Sequence, residues 1–202
     1  MDNIDLKVDW VDHKTAKYAC EHWHYTKKIP VNKLVKIGLW ENDIFKGVII
    51  YGMGASATIY KGYGIKQMQI CELVRVALKS HLIQVSQLIK ISLSFLKKKC
   101  PDLRMVVSFA DPSQNHNGGI YQATNWIFTG VSADTKEYLY NGKYRHATDI
   151  YKRGLTSDRI KKLRFINKKG KYRYLMPLDK KMRKQLLKLS LPYPKKINAD
   201  VV

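Results

Sequence analysis

The near-continuous apolar run from Leu103 to Phe109 constrains this chain more than any other stretch. Such a run predicts a buried strand with neighbours on both sides. Just upstream, Val85 to Leu96 is too densely apolar for an exposed helix, which predicts a largely buried helix ending at Lys97-Lys98-Lys99 and stopped by Pro101. Ile70 to Leu78 alternates and reads as a central strand. Nearer the N-terminus, Ile4, Leu6 and Val8 alternate with charged residues and read as a first strand. Asp12 can cap a helix with Ala16, Ala19, Cys20 and Trp23 at helical spacing. Lys36–Trp40 and Phe45–Tyr51 read as strands joined at Glu41-Asn42-Asp43, after which Gly52 and Gly54 break the pattern. Beyond the apolar run, a short helix over Ile120–Trp126 and strands over Ile127–Gly130 and Glu137–Tyr140 are expected, with a turn at Asn141-Gly142. The order predicts a mixed α/β (α+β) fold: one central mixed sheet flanked by helices.

Charge narrows the partner. The chain carries 37 Lys+Arg against 16 Asp+Glu, a net +21. Residues 151–202 hold 17 of those bases and only 3 acids. A compact domain with that excess repels itself, and a surface made for solubility alone mixes both signs, so a polyanion is expected, nucleic acid ahead of a membrane surface. The division expected from this asymmetry is a core domain over 1–150, catalytic by the resemblance given below, and a basic nucleic-acid-binding extension over 151–202. Met182, Leu186 and Leu189 on one helix face imply that the extension packs on the core. Lys168, Lys169, Lys171 and Arg173 are expected on phosphates. Cys20, Cys71 and Cys100 are odd in number without a C-x-x-C, which indicates neither a disulfide framework nor a zinc ribbon. No apolar signal core and no membrane-length apolar run are seen, so a soluble protein of a reducing compartment is expected.

The most unusual segment runs from Ser108 to Trp126 (SFADPSQNHNGGIYQATNW). A buried strand ends in the Asp111 carboxylate, a polar loop follows, and a helix opens at Gly118-Gly119. In open α/β sheets such strand ends bind ligands, and helix amides can hold an anion. Tyr121, on the first helical turn, is expected to face Asp111. The plain alternative is that Asp111-Pro112 is a turn signal.

These residues resemble the Mom family of bacteriophage DNA-modification proteins. The likeness rests on H-x-H-Y at His22–Tyr25, E-L-x-R at Glu72–Arg75, S-x-x-D-P…H-x-G-x-I-Y-Q-A-x-N-W from Ser108 to Trp126, Tyr144–His146, and Lys171–Tyr174. It implies a GNAT-like acyltransferase fold and conversion of adenine N6 in DNA to a methylcarbamoyl (acetamido) adenine, protecting phage DNA from restriction in the cytoplasm of a bacterium or infected host. By that resemblance Asp111 orients or deprotonates the amine and Tyr121 protonates the leaving group, with Ser108 as a second-tier catalytic candidate. Tyr25, His22, His24, His116, Arg75, Glu72 and Asn125 are the substrate-binding candidates, and Arg145 and Tyr174 join the DNA contacts. The base must be flipped out or single-stranded, with Tyr25 a better stacking surface than Trp23 or Trp126. Glu72 and Arg75, of opposite parity, are expected on different faces of their strand.

GNAT proteins bind the pyrophosphate of acyl-CoA on a glycine-containing loop. Lys79-Ser80-His81-Leu82-Ile83-Gln84-Val85 has none. Acetyl-CoA held by Lys79, Ser80 and helix amides is the expected donor, with aminoacyl-tRNA an open alternative. A metal such as iron on His22, His24, His116, His146 and Asp111 is a second open question, and a homodimer a third. An adenine-N6 methyltransferase lacks its glycine-rich cofactor loop here. A non-catalytic basic DNA- or RNA-binding protein is the remaining rival.

Overall fold

Asp12 sets the first element boundary. In the computed structural model, which describes residues 4–31, 33–53 and 58–195, its carboxylate accepts from the Thr15 amide at 2.9 Å. That bond starts helix α1 (His13–Trp23) directly after strand β1 (Leu6–Trp10). Asn42 and Asp43, with φ of 51° and 60°, make the left-handed two-residue turn between β2 (Leu34–Glu41) and β3 (Ile44–Gly52). Gly54 lies outside the described residues. Strand β4 (Ile70–Leu78), helix α2 (Val85–Lys99) and strand β5 (Met105–Ala110) fall where the apolar periodicity predicts them. Helix α3 (Gly119–Gln122) is shorter than expected, and Asn125, left-handed at φ 59°, turns the chain into β6 (Ile127–Val131).

After β6 the chain makes an excursion. Strands β7 (Thr135–Tyr140), β8 (Lys143–His146) and β9 (Phe165–Lys168) form a small antiparallel sheet in the order β8-β7-β9, with helices α4 (Ala147–Lys152) and α5 (Ser157–Lys161) between β8 and β9. Strand β10 (Tyr172–Pro177) then returns to the main sheet, followed by helix α6 (Lys180–Leu187).

The main sheet has the order β1-β2-β3-β4-β5-β10-β6. Only β4 and β5 pair in parallel among the described residues. One face packs Leu88, Ile89 and Leu96 of α2 against Tyr51, Leu73 and Val106. The other packs Ala16, Ala19 and Cys20 of α1 on Val48, Ile50 and Ala77, and Met182 and Leu186 of α6 on Ile70, Met105 and Leu175. Each buried Leu or Ile contributes about 1.5–3 kcal/mol.

The topology corrects the division at residue 150. That position lies inside α4, and β10 pairs with β5 from Tyr172↔Ala110 to Pro177↔Met105 and with β6 on its other side. Residues 172–177 are thus an interior strand of the main sheet and not an appended extension. The charge asymmetry runs along the sequence, whereas strand pairing decides the domain. Leu189 also departs from expectation, since it lies past the end of α6 and is exposed.

Candidate active site

The parallel ladder between β4 and β5 stops early. It runs from Ile70↔Met105 to Glu72↔Val107, and no pairing follows. At the same level β4 carries a bulge: Tyr51 opposes Leu73 and Ile50 opposes Arg75, which leaves Val74 without a partner residue. The two strands part there, and a cleft of about 610 Å³ opens between them, within the range of small-molecule sites. Leu73–Val76 of β4, Val85 of α2, Phe109 and Ala110 of β5, the 115–121 segment and Trp23–Tyr25 line it.

Ser108 and Tyr121 mark the floor of the split. The Ser108 hydroxyl lies 2.9 Å from the Leu73 carbonyl, which the vanished ladder leaves without a strand partner, and 2.8 Å from the Tyr121 hydroxyl. A hydroxyl has one proton: while it goes to the carbonyl, Tyr121 donates to Ser108, and if Tyr121 loses its proton Ser108 can turn to donate to it. Tyr121 is buried. Burial pushes its phenol up to about 12, and the nearby charge of Glu72 adds to the rise while Ser108 offsets part of it. At neutral pH Tyr121 is therefore a protonated acid beside the cleft.

His24, Tyr25, Arg75 and His116 come together on the cleft wall. The His24 Nδ1 accepts from the Thr26 amide at 3.2 Å, so the neutral ring carries its proton on Nε2. Burial, helped by Arg75 and His116, lowers His24 to about 4. Tyr25 stacks obliquely on His24 at 4.4 Å and meets the His116 ring edge-on at 5.7 Å. His22 is not part of this group. It stacks on Tyr18 at 4.1 Å and its Nδ1–H donates to the Tyr18 carbonyl, because α1 ends before His24 and the two histidines diverge.

Glu72 and Arg75 lie on one face of β4, not on two. The bulge at Val74 inverts the alternation, so the partners Gly52 and Ile50, two apart on β3, place them on the same side. Arg75 lines the cleft and donates from Nε to the Lys28 carbonyl at 3.3 Å, tying the segment after α1 to β4.

Asp111 faces elsewhere. It follows β5 with the parity of Val107 and Phe109, opposite to Ser108 and Ala110. Its carboxylate accepts from the Ser113 amide and hydroxyl at 3.0 and 2.7 Å and pairs with Lys171 at 2.9 Å. Burial raises its pKa, but the Ser113 bonds and Lys171 outweigh that and leave it below the usual carboxylate value. The predicted contact with Tyr121 is absent among the described residues. Gly118, at φ +83°, sits where a Cβ would come within 2.3 Å of the Tyr174 ring, so only glycine fits. Tyr174, expected on DNA, is fully buried and its hydroxyl donates to the Asn117 carbonyl. Asn125 lines a separate groove beside α2.

The loop before α2 holds a group that the sequence reading missed. Glu41, 2% exposed at the end of β2, accepts from the Leu82 amide at 2.8 Å and the Ile83 amide at 2.9 Å. Lys46 stands 4.0 Å from that carboxylate and donates to the Ser80 carbonyl at 3.0 Å. An internal anion thus occupies two amides of the loop before α2. Lys79 and Ser80 are exposed and outside the cleft lining. A charged residue at the foot of a hairpin gives no sequence signal for a contact 41 positions away.

The expected phosphate contacts divide. Lys168 pairs with Glu137 at 3.9 Å, Lys169 with Asp134 at 3.6 Å and Arg145 with Asp149 at 3.1 Å, while Arg173 donates to the Thr129 hydroxyl and carbonyl. No three His, Cys, Asp or Glu among the described residues come close enough to hold a metal ion. His146 instead caps α4 and His22 stacks on Tyr18, so of the histidines weighed for a metal only His24 and His116 share the cleft wall.

A bulged strand splaying from a parallel neighbour, with a helix between them, is the fold of known acetyltransferases. Aminoglycoside acetyltransferase AAC(6')-Ib, solved with coenzyme A, superposes at a TM-score of 0.52 with 8% identity, over 91% of this chain and 98% of that one. Arabidopsis thaliana NAA60 with a bisubstrate analogue gives a TM-score of 0.52 and 8% identity over 86% and 98%. Likeness at that identity speaks for the fold. The sequence profile of the Mom protein family matches residues 5–195, and the chain belongs to that family. The methylcarbamoylase Mom of Escherichia phage Mu is 26% identical over 211 residues, 95% of this chain and 84% of that protein. No helix among the described residues is long and apolar enough to cross a membrane.

Proposed function

We propose that this protein transfers an acyl group to the exocyclic N6 of adenine in DNA, as the entry step toward a methylcarbamoyl-type adenine that shields phage DNA from restriction in the host cytoplasm. The observation that carries this reading is Tyr121, a buried, protonated phenol bonded to Ser108 at the fork of β4 and β5. Adenine N6 is a poor nucleophile because its lone pair is delocalised into the ring. It must be extruded from the duplex or presented unpaired, and Tyr25, 48% exposed beside His24 and His116, offers a ring to stack it.

The donor we assign is a coenzyme A thioester, by analogy with the acetyltransferase solved with that cofactor. Its phosphates would fall to the first-turn amides of α2, since Glu41 holds those of Leu82 and Ile83. As the N6–C bond forms and the C–S bond breaks, Tyr121 would give its proton to the leaving sulfur and His116 would take the amine proton, leaving an N6-acyl adenine and a free thiol. Asp111, held by Lys171, anchors the loop that carries His116 and Asn117 rather than touching the amine.

The test is mass spectrometry of nucleosides from the DNA of cells expressing the protein or its Tyr121→Phe variant. A modified adenine that appears with the first and vanishes with the second is expected. Tight DNA binding without any modified nucleoside would favour the non-catalytic DNA-binding reading.

A further inference from the structure

The excursion over residues 132–171 is rooted where the cleft opens. Tyr172, its first residue back in the sheet, pairs with both Val131, at the end of β6, and Ala110, at the end of β5. Lys171 reaches Asp111, the residue that begins the cleft-lining loop. Two further bonds brace this root: the Gly170 amide donates to Asp134 and the Lys171 amide to the Ser132 hydroxyl.

The cations of the excursion are of two kinds. Lys168, Lys169 and Lys171 each face an acid, which reduces what they offer to a phosphate. Lys136, Lys143, Lys152, Arg159, Lys162 and Arg164 are exposed and make no ion pair among the described residues. Strand register sorts two of these lysines together with rings. Tyr138 opposes Arg145 on one side and Phe165 on the other, Lys136 opposes Asn167, and Tyr140 opposes Lys143. Since side chains alternate with a period of two, Lys136, Tyr138, Tyr140, Lys143 and Phe165 share one face. The neutralised Glu137–Lys168 pair lies on the opposite face. Phe165 is 43% exposed, with the Lys136 ammonium 4.1 Å above its ring and the Tyr138 ring 6.0 Å away.

Rings interleaved with free cations on a sheet suit an unpaired strand, whose bases stack and whose phosphates meet the ammonium groups. A duplex hides its base faces and could use only the cations. We infer that the Lys136–Tyr138–Lys143–Phe165 face binds the unpaired DNA strand flanking the target adenine and feeds that strand to the neighbouring cleft. This inference rests on the DNA-modifying reading above.

The test is fluorescence anisotropy of the full-length protein with a labelled single-stranded oligonucleotide and with the matching duplex, over a series of salt concentrations. Phe165→Leu keeps apolar bulk and removes the ring; it should weaken single-strand binding roughly tenfold and duplex binding by no more than about twofold. Phe165→Tyr should restore single-strand binding, which separates loss of stacking from loss of fold. Lys136→Gln with Lys143→Gln should flatten the single-strand salt slope, whereas Lys168→Gln with Lys169→Gln should leave affinity within about twofold. The inference is overturned if Phe165→Leu leaves single-strand affinity unchanged or if the paired lysines matter as much as the free ones. A wild-type protein that binds neither form of DNA would instead undo the DNA-modifying reading itself.

Discussion

Asp111 is bound to Lys171 across 2.9 Å, which ties the end of β5 to the last residue of the excursion before β10. The pair joins two segments 60 positions apart in sequence, and its purpose is read from what it holds: the Pro112–Gly118 loop on one side and the root of the excursion on the other. Lys171 is 46% exposed, so the pair itself contributes only about 0.2–1 kcal/mol.

If Asp111 works by anchoring, Asp111→Asn and Lys171→Met should reduce modification by similar factors, about tenfold each. A double-mutant cycle in urea should return a coupling within the range above. A collapse with Asp111→Asn alone would mean that the carboxylate acts on the substrate. Because the folded-state pKa is depressed, the contribution of Asp111 is complete above the ordinary carboxylate range near pH 4 and is lost as the pH falls through its lowered value.

Tyr121→Phe should cut turnover by about 10²–10⁴-fold with little loss of stability, since the ring stays and only a hydroxyl leaves. The phenol is raised to about 12. Its stabilising effect is therefore present below pH 10 and lost as pH rises toward 12, and no alkaline fall in rate due to this group should appear before about pH 11. A pH–rate profile with an alkaline limb near 8 that Tyr121→Phe removes would contradict this assignment.

His24 titrates near 4 in the fold, below its ordinary 6.5, because burial disfavours the imidazolium. Its neutral form is what the fold holds, so its contribution is full above pH 6.5 and drains away as the pH drops through 4, by about 3 kcal/mol in total. Thermal melts at pH 7 and pH 4.5 should show that loss, and His24→Gln should show less of it.

Glu41→Gln should destabilise the protein by about 1.5–3 kcal/mol, because charge-assisted bonds to the Leu82 and Ile83 amides are lost. With the loop loosened, KM for the acyl donor should rise several-fold while kcat moves little. Equal donor KM in the two proteins would show that this loop does not touch the donor.

Much of this structure could be read from local pattern. The Asp12 cap, the Asn42-Asp43 turn, helix α2 and the β5 strand each follow from residues within a few positions of one another. What escaped was set by partners far along the chain. The bulge at Val74 reverses the side on which Arg75 lies, and nothing in I-C-E-L-V-R-V-A-L announces it. Lys171–Tyr174 reads as a nucleic-acid grip by charge, yet Tyr174 alternates inward to pack on Gly118. In the site, the glycines announced the position of Tyr121 on the first turn of α3, whereas the role expected of it came from the family resemblance. Asp111 was misdirected because strand parity carries its carboxylate away from Ser108.

The late arrival of β10 has a consequence for biosynthesis. Until residue 177 has left the ribosome, β5 and β6 each expose a bare edge, and the most apolar strand of the protein has one neighbour instead of two. A nascent chain of 170 residues holds nearly every cleft residue and still lacks the strand that closes the sheet. Pairings between residues this far apart also form slowly. The protein should therefore acquire donor and DNA binding together, once β10 has emerged, and a translation arrest before β10 should leave an inert, aggregation-prone fragment rather than a partial enzyme.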